Sequence, residues 1–295
     1  MKNIKYLLIS AFILCATGAS AADKKSNFVL FLSDFGTKDD SVSQCKGVVL
    51  SLNPETQVID LTHEIPPFDT HFASFVLYDS AKVWPAGSVF LAVVDPGVGT
   101  ARNPILLETK SGHFFIGPDN GIFTMPAEKL GVKRIIRLDN KEYFRTQLTS
   151  TFQGRDLFAS VAGWVSKPGF DPAKLGAELP VMEKLQLIEP VVAPTAIIGQ
   201  VMRIEEPYGN IWTNITEADV TKAGLTPGTS LYLELEGEDM ELPYKSTFGD
   251  VEKGAPLAYI NSRGYLSLAV NMGNFSEVYG ITAGRPLRLF LFSVE

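Results

Sequence analysis

Apolar positions in the first part of the chain alternate between strand-like and helix-like spacing. The predicted elements follow one another in this order: strand 28–33, helix 41–52, strand 58–61, helix 75–83 and strand 88–94. The last strand is almost entirely apolar, as expected of a parallel strand covered on both faces. This order predicts an α/β fold with a mostly parallel sheet over residues 27–187.

The pattern changes after residue 187. Residues 188–196 contain Pro190 and Pro194 and are typical of a linker. Short strands follow, at residues 197–204, 230–235, 257–260, 265–270 and 287–292. The sequence NSRG at residues 261–264 predicts a hairpin between two of them. We therefore predict a second domain over residues 197–295, an antiparallel β-barrel or sandwich.

Residues 1–21 have the order of a secretory signal peptide. Two lysines precede an apolar run, which ends in small residues, ASA at positions 19–21. We predict cleavage after Ala21 and an exported product, periplasmic or secreted, with no membrane attachment; an uncleaved membrane anchor is the alternative. Cleavage would remove Cys15 and leave Cys45 alone, so no disulfide could form within the chain.

Composition narrows the class of partner. The chain has 295 residues, of which 45% are hydrophobic and 20% charged, as is typical of a globular protein. Its net charge of −7 argues against nucleic acid as a partner. There is no zinc, Walker or G-x-S-x-G motif, and His63, His71 and His113 lack close metal-ligand spacing. We expect no metal, and we expect His63 to be a hydrogen-bonded structural residue.

Aspartates at predicted strand ends are the candidate chemistry. Asp34 follows the first strand and Asp95 the third, and ligands of open α/β sheets bind at the carboxyl ends of strands. Arg102 could orient a small polar molecule together with Asp95. Because Asp-Pro-Gly is also a common turn, a structural role for Asp95 is the alternative. Asp39 and Asp40 precede a predicted helix, where we expect Asp40 to cap exposed amides.

Six longer segments are distinctive when they are taken together and in order. Three of them are LSDFGTKDDSVSQCKG (32–47), YGNIWTNI (208–215) and YINSRGYLS (259–267). The other three are VVDPGVG (93–99), PDNG (118–121) and STFQGRD (150–156). From about residue 28 to residue 289, the chain resembles the S-adenosylmethionine (SAM) hydroxide adenosyltransferases with the related fluorinases and chlorinases. The first three segments are most similar to the halogenase branch, and the other three to the hydroxide branch.

The resemblance implies a C-terminal β-barrel and a homotrimer with sites between subunits. Members of the family displace methionine from the 5′ carbon of SAM, which is the substrate, so no cofactor is implied. Asp34 would then hold the ribose hydroxyls, and Asp39 and Ser41 would meet the methionine end. Phe68 and Phe152 would wall the pocket. The barrel residues implied to contact the base or amino acid are Glu205, Tyr208, Asn210, Trp212, Phe248, Ser262 and Arg263. At position 205 the family pattern has an aspartate, where this chain has Glu.

The pocket for the nucleophile distinguishes the branches. Fluorinases carry Tyr at the position of Asp95 and Ser at that of Gly154, and a carboxylate beside the reacting carbon would repel a halide. The hydroxide branch carries His where this chain has Gln153, and glutamine can orient water but cannot accept its proton.

We therefore predict a SAM hydrolase that forms adenosine and L-methionine. Asp95 would be the base or water anchor, Arg102 its orienting partner and Gln153 a positioning group. Two alternatives remain: an exported SAM- or nucleoside-binding protein without turnover, and a chlorinase-like halogenase.

Overall fold

The computed structural model describes residues 26–291, so the predicted signal peptide lies outside the described residues. The strands of the first domain are β1 (Phe28–Ser33), β2 (Gln57–Thr62), β3 (Val89–Val93), β4 (Pro104–Thr109), β5 (Phe114–Pro118), β6 (Val132–Arg137) and β7 (Glu178–Leu179). Its helices are α1 (Ser41–Leu52), α2 (Thr70–Ala81), α3 (Thr124–Leu130) and α4 (Ser160–Val165). A π-helical segment (Gly154–Ala159) leads into α4, and two short 3₁₀ turns complete the domain, Lys141–Tyr143 and Pro172–Leu175.

The first domain is built on one seven-stranded sheet in the order β2-β1-β3-β5-β4-β6-β7. The pairs β1–β2, β1–β3 and β3–β5 are parallel, whereas β4–β5, β4–β6 and β6–β7 are antiparallel. The α/β class is confirmed, but the sheet is only partly parallel. The reason is that residues 110–113 alone join β4 to β5, and a parallel connection needs a dozen or more residues.

Helices cover both faces of this sheet, which explains the apolar central strands. Val29 and Phe31 of β1 pack with α1 and α4, whereas Leu30 and Leu32 pack with α2 and α3 on the other face. Successive side chains of a strand point to opposite faces, so a doubly covered strand must be apolar throughout. These two layers of packed side chains hold the carboxyl ends of β1 and β3 in place. The candidate residues Asp34 and Asp95 follow these two strand ends.

The second domain is all antiparallel. Its strands are β8 (Val191–Val192), β9 (Ala196–Glu205), β10 (Asn210–Thr216), β11 (Ser230–Leu235), β12 (Glu238–Pro243), β13 (Pro256–Ile260), β14 (Tyr265–Val270) and β15 (Pro286–Phe290). Its helices are α5 (Glu217–Lys222) and α6 (Phe275–Tyr279), with a 3₁₀ turn at Phe248–Asp250.

These strands form a nearly closed barrel. The main path is β12-β11-β15-β9-β10-β14-β13, and an isolated bridge between Tyr244 and Ala258 brings its two ends together. The predicted antiparallel β-barrel is confirmed. Strand β8 lies inside the segment predicted as a linker and pairs with β9, which extends the sheet.

Helix α2 joins the two domains. The ring of Phe75 lies 5.5 Å from that of Tyr265 and 6.3 Å from that of Trp212, measured between centroids. Asp79, on the same helix, forms an ion pair with Arg263 of the β13–β14 turn. Among residues 26–291, no helix has both the length and the apolar character needed to cross a membrane.

Candidate active site

A carboxylate, a guanidinium and an amide are in contact beyond the carboxyl end of β3. Asp95 comes from the loop after β3, Arg102 from the approach to β4, and Gln153 directly precedes the π-helical segment. Arg102 Nε donates to Asp95 Oδ1 at 3.0 Å, and Arg102 Nη2 also donates to this carboxylate. The same Nη2 donates to Gln153 Oε1 at 2.6 Å. The structure thus brings together the three residues predicted to carry the chemistry.

The ion pair between Asp95 and Arg102 is largely shielded from solvent. The side chains of Asp95 and Arg102 are 5% and 10% exposed, and Arg102 Cζ lies 5.2 Å from the centroid of the Phe158 ring. A two-point pair between a guanidinium and a carboxylate fixes orientation as well as charge. Asp95 is therefore held in one position rather than left as a mobile surface acid.

The side-chain amide of Gln153 can face Arg102 in one orientation only, with its oxygen toward the guanidinium. A guanidinium has no acceptor, so the atom of Gln153 that meets Arg102 must be the carbonyl oxygen. The Nε2 donors of Gln153 are left outside this network. At this position the chain therefore offers N–H donors and no proton acceptor.

The loop that carries Asp95 is both a turn and a frame for the ion pair. The amide of Val98 donates to the carbonyl of Asp95 at 3.3 Å, which closes the Asp-Pro-Gly turn. A Cβ at Gly97 would lie 3.3 Å from Arg102 Cγ, so a larger residue would crowd the aliphatic part of the Arg102 side chain. Asp95 can therefore be a turn residue and also act together with Arg102 on a small polar molecule, because the turn brings Arg102 back to Asp95.

Gly154 lies close to the side chains of Phe35 and Val93. A Cβ at this position would lie 3.0 Å from Phe35 Cζ and 3.3 Å from Val93 Cγ1, so these groups would have to shift for any side chain. Phe35 in turn packs edge-on against Phe152, with ring centroids 5.9 Å apart. The serine of the fluorinase pattern would therefore require Phe35 and Val93 to move by a few tenths of an ångström.

Asp156 ties the π-helical segment to the loop before it. Its side chain is 0% exposed, and it accepts from Arg145 Nη1 at 2.7 Å and from Arg155 Nε at 2.7 Å. The amide and hydroxyl of Thr149 donate to it at 2.8 and 2.7 Å. Burial alone would raise the pKa of Asp156, but these donors hold it well below the ordinary value. This network fixes the segment that begins beside Gln153.

We expect Asp156→Ala to lower the free energy of unfolding by about 3 kcal/mol, measured by urea denaturation. This is the lower end of the cost of breaking a buried ion pair, because Arg145 and Arg155 keep partial contact with water. The matched control is Asp139→Ala, which removes an exposed pair with Arg137 and should cost less than about 1 kcal/mol. Equal losses in the two variants would contradict a structural role for this network.

Acid should remove the same contribution in the unchanged protein. Because the folded-state pKa of Asp156 is lowered, its stabilisation is complete above the unfolded carboxyl value, near 3.9. It is lost as the pH falls from that value toward the folded-state pKa. The urea midpoint of the wild type should therefore fall more steeply below about pH 4 than that of Asp156→Ala.

Asp34 and Phe68 meet at the neighbouring strand ends. Asp34 Oδ2 accepts a hydrogen bond from the backbone amide of Phe68 at 3.0 Å. Phe68 has a φ of 69°, which is unusual for a residue with a side chain, and the residue as a whole is 66% exposed. The carboxylate of Asp34 thus holds the loop that presents the Phe68 ring to the surface.

Of the two aspartates before α1, Asp39 accepts from a backbone amide and Asp40 does not cap the helix as predicted. Asp39 Oδ1 accepts from the amide of Ser41 at 2.9 Å, and this hydrogen bond lowers the pKa of Asp39. Asp40 occupies the N-cap position, but its carboxylate caps no amide and accepts instead from Gln44 Nε2 at 2.8 Å. The expectation that Asp40 caps the helix is wrong, because the glutamine one turn later takes its carboxylate.

The barrel contributes a separate pocket of about 1030 Å³. The predicted barrel contacts that line it are Glu205, Tyr208, Asn210, Trp212, Phe248 and Ser262. Asn210 Nδ2 donates to Glu205 Oε2 at 2.7 Å, which fixes its amide. Arg263 is not among the lining residues; it is paired with Asp79, and its Cζ lies 5.1 Å from the Trp212 ring centroid.

Two features of this pocket were missed by reasoning from the sequence. Residues 271–274, after β14, line the pocket, with Met272 held at a φ of 55°. The sequence of this loop does not by itself indicate a binding role, because the loop reaches the pocket only when the strands of the barrel pair. The second feature is Trp212 Nε1, which is buried and has no hydrogen-bond partner within residues 26–291. A buried donor of this kind is costly unless a ligand or another chain supplies an acceptor.

The protein thus combines a partly parallel α/β domain, which carries the Asp95–Arg102–Gln153 cluster, with a β-barrel domain that has an aromatic pocket. Residues 29–176 match the N-terminal domain of the SAM hydroxide adenosyltransferases, and residues 199–288 match the C-terminal domain. The chain therefore belongs to the SAM hydroxide adenosyltransferase family, and the family predicted from the sequence is confirmed.

Curated relatives carry two different names. A protein of Thermus thermophilus named (R)-S-adenosyl-L-methionine hydrolase is 36% identical over 270 residues, which are 88% of this chain and 98% of that protein. A fluorinase of Nocardia brasiliensis is 32% identical over 283 residues, 87% of this chain and 94% of that protein. The crystal structure of an uncharacterized conserved protein from Thermotoga maritima superposes with a TM-score of 0.85 at 35% identity and covers 88% of this chain and 99% of that one.

Proposed function

We propose that this protein is a SAM hydrolase, in which water displaces L-methionine and leaves adenosine. The observation that carries the proposal is the cluster of Asp95, Arg102 and Gln153 at the carboxyl end of β3. It offers a fixed carboxylate to accept an O–H of water and amide donors to hold the oxygen of that water. The curated relatives named (R)-S-adenosyl-L-methionine hydrolase support SAM as the substrate.

The reaction needs a positioned water and one proton acceptor. The water oxygen forms a bond to the 5′ carbon, and the bond from this carbon to sulfur breaks with its electron pair going to sulfur. The leaving group is then neutral methionine, and Asp95 takes the proton of the water. Displacement at a sulfonium asks mainly for in-line positioning, which can supply about 7 kcal/mol or more of barrier lowering.

Halide transfer is disfavoured by the charge of Asp95. A halide is an anion, and the Asp95 carboxylate beside the site would repel it. Arg102 Nε and Nη2, which could offset this charge, are directed at Asp95 and Gln153. The oxygens of Asp95 accept and cannot donate as a carboxylate. Gly154 also brings no hydroxyl, in contrast to the serine of the fluorinase pattern, so this position argues against fluoride transfer in particular.

The halide question has a direct test. Incubation of the protein with SAM and excess sodium chloride or fluoride should give adenosine alone, with a rate unchanged by either salt relative to sodium sulfate at equal ionic strength. Chromatography with mass detection identifies the nucleoside. A 5′-halogenated nucleoside would overturn the proposal in favour of a halogenase, and bound SAM returned intact would favour a binding protein.

We further propose that the complete site forms between copies of this chain, in a homotrimer. The pocket of the barrel is lined only by barrel residues, and the Asp95 cluster lies in the other domain. Tyr208, at the rim of the pocket, is 64% exposed, as is Phe68 to a similar degree beside Asp34. A second chain could cover both aromatic rings with the ligand between them. Native mass spectrometry should show three chains; a monomer that turns over SAM would contradict this arrangement.

A further inference from the structure

A chain of hydrogen bonds, buried at Ser33 and His63 and reaching the surface at Asp60, runs next to Asp34. The hydroxyl of Ser33, the last residue of β1, lies 2.7 Å from His63 Nδ1. His63 Nε2 lies 2.9 Å from Asp60 Oδ1, on β2. Ser33 is 0% and His63 4% exposed, so neither side chain can meet a substrate directly.

The direction of the hydrogen bonds follows from the charge of Asp60. Burial would raise the pKa of Asp60, but hydrogen bonds from Lys46 and His63 hold it below the ordinary value. A carboxylate only accepts, so His63 Nε2 carries its proton toward Asp60. In the neutral ring Nδ1 is then an acceptor, and the Ser33 hydroxyl donates to it. Each ring nitrogen thus has one partner.

This chain of bonds connects the two loops that meet at Asp34. The carbonyl of His63 accepts from the amide of Gly36 at 2.7 Å, and the Ser33 carbonyl accepts from the amide of Ile65 at 3.4 Å. Asp34, next to Ser33, receives the amide of Phe68. The ring of His63 also packs edge-on against Phe31, with centroids 4.7 Å apart. Ser33 and His63 are therefore the buried link between the loop that carries Asp34 and the loop that carries Phe68.

We propose that Ser33 and His63, backed by Asp60, are positioning residues that set the Asp34 carboxylate and the Phe68 ring for the ribose end of the substrate. This inference rests on the proposed function, in which Asp34 holds the ribose hydroxyls. Ribose contacts are the same before and during displacement at the 5′ carbon. Their loss should therefore appear in KM rather than in kcat.

The chain offers a matched control for this role. His113 is also buried, with Nδ1 2.9 Å from the Ser111 hydroxyl and Nε2 3.1 Å from the carbonyl of Trp84. It precedes β5 and so lies at the amino end of the parallel strands, away from the candidate site. His63→Phe and His113→Phe each remove two hydrogen bonds of one buried imidazole, but only the first touches the Asp34 loop.

The test compares these variants in SAM turnover and in adenosine binding by calorimetry. We expect His63→Phe and Ser33→Ala to raise KM for SAM, and Kd for adenosine, about tenfold, with kcat changed less than about threefold. His63→Asn should recover most of the affinity, because its amide oxygen can replace Nδ1 as acceptor for Ser33. His113→Phe should lose stability without a change in KM.

Each outcome decides the matter. Equal KM values for wild type, Ser33→Ala and His63→Phe would overturn the positioning role, as would a change of the same size in His113→Phe. If wild type binds adenosine but forms none from SAM, hydrolysis fails as the function while the adenosine Kd values still decide the role of Ser33. Wild-type protein that neither binds adenosine nor consumes SAM would overturn both proposals.

Discussion

Replacement of Asp95 by Asn should reduce kcat for adenosine formation from SAM by about 10²–10⁴-fold. Asparagine keeps the shape of the side chain but cannot take the proton of the attacking water. It also presents an amide, in place of a second carboxylate oxygen, to Arg102. Steady-state turnover by chromatography measures the effect, and denaturant unfolding shows whether the variant remains folded with Arg102 unpaired.

Asp139→Asn is the matched control for Asp95→Asn. Asp139 also accepts from an arginine, Arg137 Nε at 2.8 Å, but this pair is exposed and lies outside the Asp95 cluster. The control should keep the wild-type rate. Full activity in Asp95→Asn would leave Asp95 as the turn residue that its Asp-Pro-Gly sequence also predicts.

Replacement of Gln153 by His should raise kcat by about 10–100-fold. Histidine can accept the proton that glutamine cannot, and general acid–base catalysis is worth about 10²–10⁴-fold when no other group supplies it. The expected gain is smaller because Asp95 is the proton acceptor in the proposed mechanism. The variant should also gain a pH dependence, losing its advantage below the ordinary imidazole pKa of about 6.5.

Gln44→His separates this effect from the general effect of a new histidine. The side-chain oxygen of Gln44 also accepts from an arginine, Arg155 Nη1 at 2.7 Å, but Gln44 lies on α1 and outside the Asp95 cluster. It should leave the rate unchanged. An unchanged rate in Gln153→His as well would mean that the difference from the hydroxide branch at this position has no bearing on catalysis.

Elements with strong apolar signals were predictable from the sequence. The bounds of β1 and α1 agree with the structure, and β3 agrees to within one residue at each end. Strand β5 lies between a parallel and an antiparallel neighbour, an arrangement that depends on the short connection from β4 rather than on its own residues. Patterns of apolar residues report which faces are covered, and they do not report which strand lies alongside.

The candidate site was predictable only in part. The residues around Asp95 and Asp34 could be named from strand-end positions, but contact between Arg102 and Gln153 joins residues far apart in sequence. The π-helical segment has no periodic signature of its own, and the network of Asp156 beneath it is visible only in three dimensions. The role of Asp40 differed because a side chain one turn away competed for its carboxylate.

The central claim is that water attacks the 5′ carbon of SAM in this protein. The most direct measurement is incubation with SAM in ¹⁸O-labelled water, followed by mass spectrometry of the nucleoside. We predict adenosine that carries the label at its 5′ oxygen. SAM returned intact, or a nucleoside without the label, would contradict the account.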